Sequence, residues 1–394
     1  AAPVTDIRSN AFWRCFPAGM RRRWWLFRLF DLACRFVPLF KPRRGLLVIR
    51  MDGIGDMVLF RASLDHYAEA FDVDPSEITV IGCDSWSSIA DAVFAGYRVV
   101  AINKHAYAKK LLYRLRINLK LRLLAPQTVV SDAYFRRALM ADSLVWVTGA
   151  PVTCVSYPYI TEPTRTEFTY YLSQCSQVID TGAYPAHELD RHAAFVSYFA
   201  GRPVAATPPR LNWRDRPPAL ADGGAYVVLN PGSNEYGRRW PLADYVTLAH
   251  WLAGRGMRVA FVGKAEEKAG ADLIAAAADG RRIIDMTGKT DLPGLMDLLK
   301  SARLVVSNDT GPMHLAIGLS TPTVAVIGGG HFGSFVPYPA QAPPANVRFL
   351  HEKMDCYHCF WRCHKRTDPK ASFPCVAAVA QARVQAACQE LLDA

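Results

Sequence analysis

The 394 residues predict an α/β protein built from two doubly wound parallel sheets. Three observations carry that reading. Strand-like apolar runs alternate with helical stretches along most of the chain. The runs are continuous rather than alternating, the pattern of strands covered on both faces. The alternation is interrupted by "GRPVAATPPRLNWRDRPPALADGG", residues 201–224, whose five prolines read as a linker, and it restarts afterwards. A chain of this length can bury two separate cores, and 51% hydrophobic with 21% charged residues is the composition of a globular protein.

In the first half, "GLLVIR" (45–50) reads as a strand leading through "MDGIGD" into a helix near 57–70. "ITVIG", "YRVVAI", "QTVVSD" and "SLVWVTG" read as further strands of the same sheet. Residues 150–200 carry no clear pattern. After the linker, "AYVVLN", "MRVAFVG", "RIIDMTG", "RLVVSND" and "PTVAVIGG" form five strands. Helices near 242–254, 266–278 and 292–302 separate the first four, and one beginning in "SNDTGPMHLAIG" follows the fourth. The expected domains are a basic aromatic segment (1–44), a first doubly wound domain (45–200), the linker (201–224), a second (225–345) and a cysteine-rich tail with a helix (346–394). Two such domains place a ligand cleft at the carboxyl ends of their strands.

No run of about 18 uncharged apolar residues predicts a spanning helix, and no secretory signal is apparent. The net charge of +11 is concentrated early. Residues 7–45 hold ten Lys or Arg against one acid, Asp31, and residues 92–131 hold eight Lys or Arg and no acid. An anionic partner is expected there. In "RRRWWLFRLFDLACRFVPLF", a helix puts Arg21, Arg28, Asp31 and Arg35 on one side and aromatic and aliphatic residues elsewhere. That pattern suits a helix lying in a membrane interface, or one docked on its own domain. "KHAYAKKLLYRLRINLKLRLL" reads as a mobile basic arm or a solvated helix face; neither segment matches a nucleic-acid-binding motif.

Four loops carry chemistry. In "RMDGIGDMVL", Gly53 and Gly55 permit a tight turn, and Asp56 starts the helix, either as a cap or as an ionised base. In "NPGSNEYGRRWP", Gly232, Ser233, Arg238 and Arg239 form a phosphate site at a helix head, or a helix start with solvated arginines. "VGKAEEKAG" offers Glu266 and Glu267 to a ribose, or as acids of a helix's first turn. In "SNDTGPMH", Asp309, Thr310 and Gly311 precede His314 by one turn, again suited to phosphate. Three such loops in one sheet favour a nucleotide diphosphate.

These motifs, together with "SNDTGPMHLAIGLSTPTVAVIG" as a whole, resemble the heptosyltransferase family, the family-nine glycosyltransferases that build bacterial lipopolysaccharide cores. The resemblance covers most of residues 45–390 and is weakest over 90–200. It implies a GT-B fold of two Rossmann-like domains and inverting sugar transfer, with ADP-heptose, or alternatively another nucleotide sugar, as donor and a lipopolysaccharide core, or a protein hydroxyl, as acceptor. Asp56 would be the general base. Arg238 stands where the family commonly has Lys. Glu266, with Glu267 beside it, would contact the ribose, Thr310, Gly311 and His314 the phosphates, and Asp309 would position the donor. A diphosphate leaving group demands no catalytic metal. The expected location is the cytoplasm, with peripheral contact at the inner membrane.

"CYHCFWRCHKRTDPKASFPC" holds Cys356, Cys359, Cys363 and Cys375, a thiolate set suited to structural zinc or iron, with reduced thiols or disulfides as the alternative. Heptosyltransferases that modify autotransporter proteins are similar in having an iron-bound cysteine tail. A non-catalytic nucleotide-binding assembly protein is the contrasting reading of the whole.

Overall fold

The computed structural model describes residues 24–218, 220–265, 268–339 and 344–394. They divide into two compact units. The first comprises the chain up to Gly53, Ser63–Tyr184 and Arg191–Ala205; the second comprises Ile54–Ala62, Pro185–Asp190 and Ala206–Ala394.

The first unit is built on a parallel sheet of six strands: β1 (Leu46–Ile49), β2 (Ile78–Cys83), β3 (Arg98–Ile102), β4 (Thr128–Ser131), β5 (Val152–Ser156) and β6 (Gln177–Ile179). Their order is β3-β2-β1-β4-β5-β6. Leu46 pairs with Ile78 on one side and Thr128 on the other, so the central strand is covered by both halves of the winding. Every residue of β1 and β2 is buried, as their unbroken apolar sequences predict.

Helix α1 (Trp24–Arg35) precedes this sheet, and α2 (Ile54–Leu64) follows β1. Of the two readings of the basic segment, mobile arm or helix face, the structure shows the helical one: α3 (Lys104–Lys109) and α4 (Leu111–Leu124), the first capped by the Asn103 side chain on the Ala106 amide at 2.7 Å. The outcome has an electrostatic cause. Arg114 of α4 is 1% exposed, and its Nε and Nη2 donate to the two carboxylate oxygens of buried Asp31 on α1, at 2.8 and 2.5 Å. Asn118 Nδ2 adds a third bond to Asp31 at 2.5 Å. The one acid among the basic segments is therefore the anchor that holds α1 against α4.

A correction concerns "SLVWVTG". Ser143–Thr148 is helix α5, buried along its whole length, and the strand comes after it as "VTCVS". Ser143 Oγ donates to Leu139 O at 2.9 Å and Met140 O at 3.0 Å, tying the helix start to the preceding turn. An apolar run buried on all sides has no period to distinguish helix from strand. The patternless stretch after it contains β5, α6 (Arg165–Leu172), β6 and α7 (Glu188–Ala200).

The second unit repeats the plan with β7 (Tyr226–Asn230), β8 (Arg258–Phe261), β9 (Ile283–Asp285), β10 (Leu304–Asn308), β11 (Thr323–Val326) and β12 (Val347–Leu350), all parallel, in the order β12-β11-β10-β7-β8-β9. Five strands were legible; the sixth, β12, lies in the segment read as a tail. That segment also supplies α12 (Gln381–Asp393), and Phe373, Val376, Val379, Val384, Cys388 and Leu391 enter the same core as Val227, Trp240 and Leu248. The helices α8 (Leu242–Gly254), α9 (Lys268–Ala277), α10 (Leu292–Ser301) and α11 (Gly311–Gly318) fall where the spacing places them. Residues 206–218 form no regular element yet are held down: Trp213 Nε1 donates to Asp297 Oδ1 at 2.7 Å, and Arg214 grips the same carboxylate.

Removing one partner of a buried ion pair leaves the other uncompensated. Asp31→Ala is expected to lower the unfolding free energy by about 3–5 kcal/mol, while Asp31→Leu with Arg114→Met recovers most of it; urea denaturation followed by circular dichroism measures both.

Candidate active site

In doubly wound sheets, ligands meet the carboxyl ends of the strands at the point where the winding reverses. In the second unit that point lies between β7 and β10. Asn230, the last residue of β7, donates through Nδ2 to Ser307 Oγ at 2.9 Å and Thr310 Oγ1 at 3.1 Å. Asn308, the last residue of β10, accepts from the Trp240 amide at 2.8 Å and the Tyr245 hydroxyl at 3.0 Å, and donates to Pro231 O at 2.8 Å. Two asparagines thus stitch together the loops 231–241 and 309–311. A third stitch is ionic: Arg238 Nη2 donates to Asp309 O at 2.6 Å and to Asp309 Oδ2 at 2.7 Å.

Burial alone would raise the Asp309 carboxyl, but Arg238 and His314 outweigh it and hold the group at about 2. Asp309 is therefore a carboxylate throughout the ordinary pH range, and its stabilisation is lost only as pH falls from about 3.8 toward 2. His314 is buried. Its Nδ1 pairs with the Tyr338 hydroxyl at 2.8 Å, and its Nε2 lies 3.8 Å from Asp309 Oδ1. Arg239 donates to Ser233 O at 3.0 and 3.2 Å, which folds the loop over. Among the described residues, the buried Ser233 hydroxyl and the Arg238 Nε find no hydrogen-bond partner.

The amino terminus of α2 belongs to this unit too, and here Gly55 and Gly311 matter. A Cβ on Gly55 would lie 2.9 Å from His314 Cδ2, and one on Gly311 3.0 Å from Ile54 Cβ. The first turns of α2 and α11 are thus in contact, with Asp56 half-buried in the first and Thr310 immediately before the second. Each helix start carries a partial positive charge, so the pair is suited to anions.

The first unit has its own polar centre where its winding reverses. Arg50, just past β1, donates to Asp132 Oδ1 at 3.0 Å and pairs with Asp52 Oδ2 at 2.7 Å. Asp132, just past β4, also accepts from the Tyr67 hydroxyl at 3.0 Å and pairs with His192 Nδ1 at 2.8 Å. Burial pushes the Asp132 carboxyl up, and His192 with Arg50 more than reverses this, so it stays ionised.

The cysteine segment packs against the glycine run after β11. A Cβ on Gly329 would fall 2.1 Å from the Tyr357 ring, and one on Gly330 2.1 Å from the Trp361 ring. His358, Phe360 and Trp361 take left-handed backbone conformations, with φ of 67°, 54° and 60°. The coil brings Cys356, Cys359, Cys363 and Cys375 around one cavity of about 10 Å³, room for a single small occupant. Burial raises the Cys359 and Cys375 thiols, and their neighbouring thiols add to it. His358 and His364 are exposed. Among the described residues, no three Cys, His, Asp or Glu side chains stand in a metal-ligating arrangement, although the four-thiol donor set suits a thiophilic ion. Trp361 also carries Arg238 over its ring at 4.7 Å, joining this segment to the anion loops.

The structure therefore brings Asp56, Gly55, Ser233, Gly232, Arg238, Asp309, Thr310, Gly311 and His314 into one unit around two helix starts. Gly53 closes the first unit's turn. Glu266 and Glu267 lie outside the described residues. Missed in the sequence were Asn230, Asn308, Tyr338, Trp361 and the Arg50–Asp132 centre. The asparagines end apolar strands and could have been marked as polar groups at a carboxyl edge; nothing local distinguishes Tyr338.

Two doubly wound units with 3-2-1-4-5-6 winding are the architecture of GT-B-type glycosyltransferases. Residues 164–362 match the model of glycosyltransferase family 9 (heptosyltransferase), and the chain belongs to that family. It is 36% identical over 115 residues to lipooligosaccharide heptosyltransferase 2 of Haemophilus influenzae, 28% of this chain and 33% of that protein. Matches to the curated relatives span about a quarter to a half of their length. The solved structure of Escherichia coli ADP-heptose lipopolysaccharide heptosyltransferase II superposes with a TM-score of 0.64 at 18% identity, covering 88% of this chain and 98% of that one. The iron-containing dodecameric glycosyltransferase TibC from enterotoxigenic E. coli superposes at 0.52 and 15% identity, covering 90% and 77%.

His331 provides a pH test of this region. Burial, with Arg238 adding to it, pushes its imidazole down to about 4. A base lowered on folding stabilises above its ordinary value of 6.5, and the effect is lost as pH falls toward 4. Urea midpoints are expected to fall more steeply between pH 7 and 5 in the wild type than in His331→Gln.

Proposed function

We propose that the chain is an inverting glycosyltransferase that moves a heptose from ADP-heptose to a lipopolysaccharide-core acceptor. One observation carries the proposal: the starts of α2 and α11 touch, so that the carboxylate of Asp56 and the anion-suited group of Arg238, Asp309 and His314 belong to one constellation. Family membership and the names of the relatives support heptose as the sugar.

In this reading the Asp56 carboxylate takes the proton of the acceptor hydroxyl as its oxygen bonds to the anomeric carbon. The bond from that carbon to the diphosphate breaks, and the electron pair leaves with the phosphate oxygen. Developing charge there is met by the Gly311 amide and the positive end of α11, the Thr310 hydroxyl and the Arg238 guanidinium, which Asp309 holds in place before substrate arrives. The Ser233 hydroxyl and Gly232 amide offer further donors. Glu266 is assigned to the ribose on the resemblance alone.

The cysteine set is assigned a structural zinc or iron held by Cys356, Cys359, Cys363 and Cys375. The support is the shared cavity and the mutual effect of the thiols. Such an ion would be bound by thiolates and would lock the aromatic coil onto Gly329 and Gly330. That same cluster supports a second reading of the acceptor, a protein hydroxyl, because of its resemblance to the tail of autotransporter-modifying heptosyltransferases.

Asp56→Asn is expected to lower kcat by about 10²- to 10⁴-fold with ADP affinity little changed; near-normal transfer by a folded variant would reject the base assignment. Arg238→Ala removes a charged donor and is expected to weaken ADP binding by about 1.5–3 kcal/mol, read by calorimetry. Elemental analysis of the intact protein is expected to find one zinc or iron per chain, lost in a Cys359→Ser/Cys363→Ser variant with a lowered thermal midpoint.

A further inference from the structure

Helix α1 buries Phe27 and Cys34 against the first unit yet leaves a second apolar line exposed. Its inward positions carry Asp31, bonded to Arg114, and Arg28 and Arg35, whose guanidinium groups lie over the Tyr170 and Trp146 rings at 4.0 and 4.8 Å. Its outward positions Leu29, Leu32 and Ala33, with Phe36 one residue past its end, are spaced i, i+3, i+4 and i+7, and all four are exposed. Leu29 is 59% exposed and Phe36 72%. The exposed apolar line continues past the helix to Phe40, 94% exposed. An apolar line left exposed on the outer side of a helix that is already anchored inward is the arrangement of a surface that meets something apolar.

The cations beside it say what that is. Helix α4, which α1 packs against through Asp31, exposes Leu112, Arg116, Lys120 and Leu123, and Lys109 and Lys110 precede it, also exposed. Lys41 and Arg44 follow Phe40 and line, with Arg98, a cavity of about 350 Å³ in which Glu77 is the one acid, paired to Arg44 at 3.5 Å. Residues 24–45 and 92–131 hold a single acid between them, and that acid is the buried Asp31. A second copy of this chain would bring the same cations against themselves across a self-complementary contact. An anionic bilayer satisfies both features at once: its acyl region takes the leucines and phenylalanines, and its phosphates take the lysines and arginines.

We propose that the outward stripe of α1 with Phe40, flanked by the basic edge of α3 and α4, is a membrane-docking surface that selects anionic lipid. The side chains seat in the headgroup boundary and the chain does not span; no described helix is long and apolar enough to cross. This surface lies wholly in the first unit, so its test is independent of the sugar-transfer assignment.

The test is cosedimentation of the full chain with phosphatidylcholine vesicles, with and without phosphatidylglycerol. Partition is expected to need the anionic lipid and to weaken with added salt. Leu32→Asp and Phe36→Asp, both at exposed positions, are each expected to reduce it by about tenfold or more. Lys109→Ala and Lys110→Ala are each expected to reduce it by about fivefold. Thermal midpoints and light scattering on the same variants check fold and assembly, both expected to be unchanged. Equal partition to neutral vesicles, or no loss in the two aspartate variants, overturns the proposal. So does a change of oligomeric state in those variants with vesicle binding intact, which would make the stripe a contact between protein copies.

Discussion

The starts of α2 and α11 pack this closely because residues 55 and 311 are glycine: a Cβ at 55 would meet the His314 ring at 2.9 Å, and one at 311 the Ile54 side chain at 3.0 Å. Much of the site follows from that contact. It sets the first turn of α2, which holds Asp56, against a helix start that carries Thr310 and His314, and it concentrates two partial positive charges in one place. Like ends of two dipoles repel, so the arrangement needs compensation. Asp309 provides part of it, as a carboxylate that burial disfavours and that Arg238 and His314 keep charged. An anionic ligand would provide the rest.

The same economy of charge recurs elsewhere. Each unit puts an arginine–aspartate pair at its winding reversal, Arg50 with Asp132 in the first and Arg238 with Asp309 in the second. A third pair, Arg114 with Asp31, pins α1 to α4. In each case a guanidinium and a carboxylate that would be costly alone are tolerable together, and Arg114 adds the two-nitrogen fork geometry that satisfies both oxygens of Asp31. The third pair has a consequence at the surface. With Asp31 turned inward beside Phe27 and Cys34, Leu29, Leu32 and Phe36 are left outside.

The cysteine segment belongs to the same system rather than trailing from it. Its aromatic rings fill the space left by Gly329 and Gly330, Trp361 lies beneath the Arg238 guanidinium, and the helix that follows completes the core of the second unit. A change in the thiol cluster would therefore reach the anion loops through one side chain.

Local pattern was sufficient wherever physics is local. Continuous apolar runs made the parallel strands legible, glycines and small hydroxyl residues marked the helix starts, and family-specific motifs around Asp56, Arg238 and Asp309–His314 pointed to the loops that the fold assembles. Pattern failed where the environment is uniform or the partner distant. "SLVWVTG" is buried on every side, so no period revealed that it is a helix. The basic segment left mobile arm and helix face both open because its counter-charge, Asp31, lies 83 residues from Arg114. Which face of α1 turns outward, and that two helix starts meet, were decided only by tertiary structure. Both depend on pairings between residues far apart in the chain, and composition and spacing record only what is near.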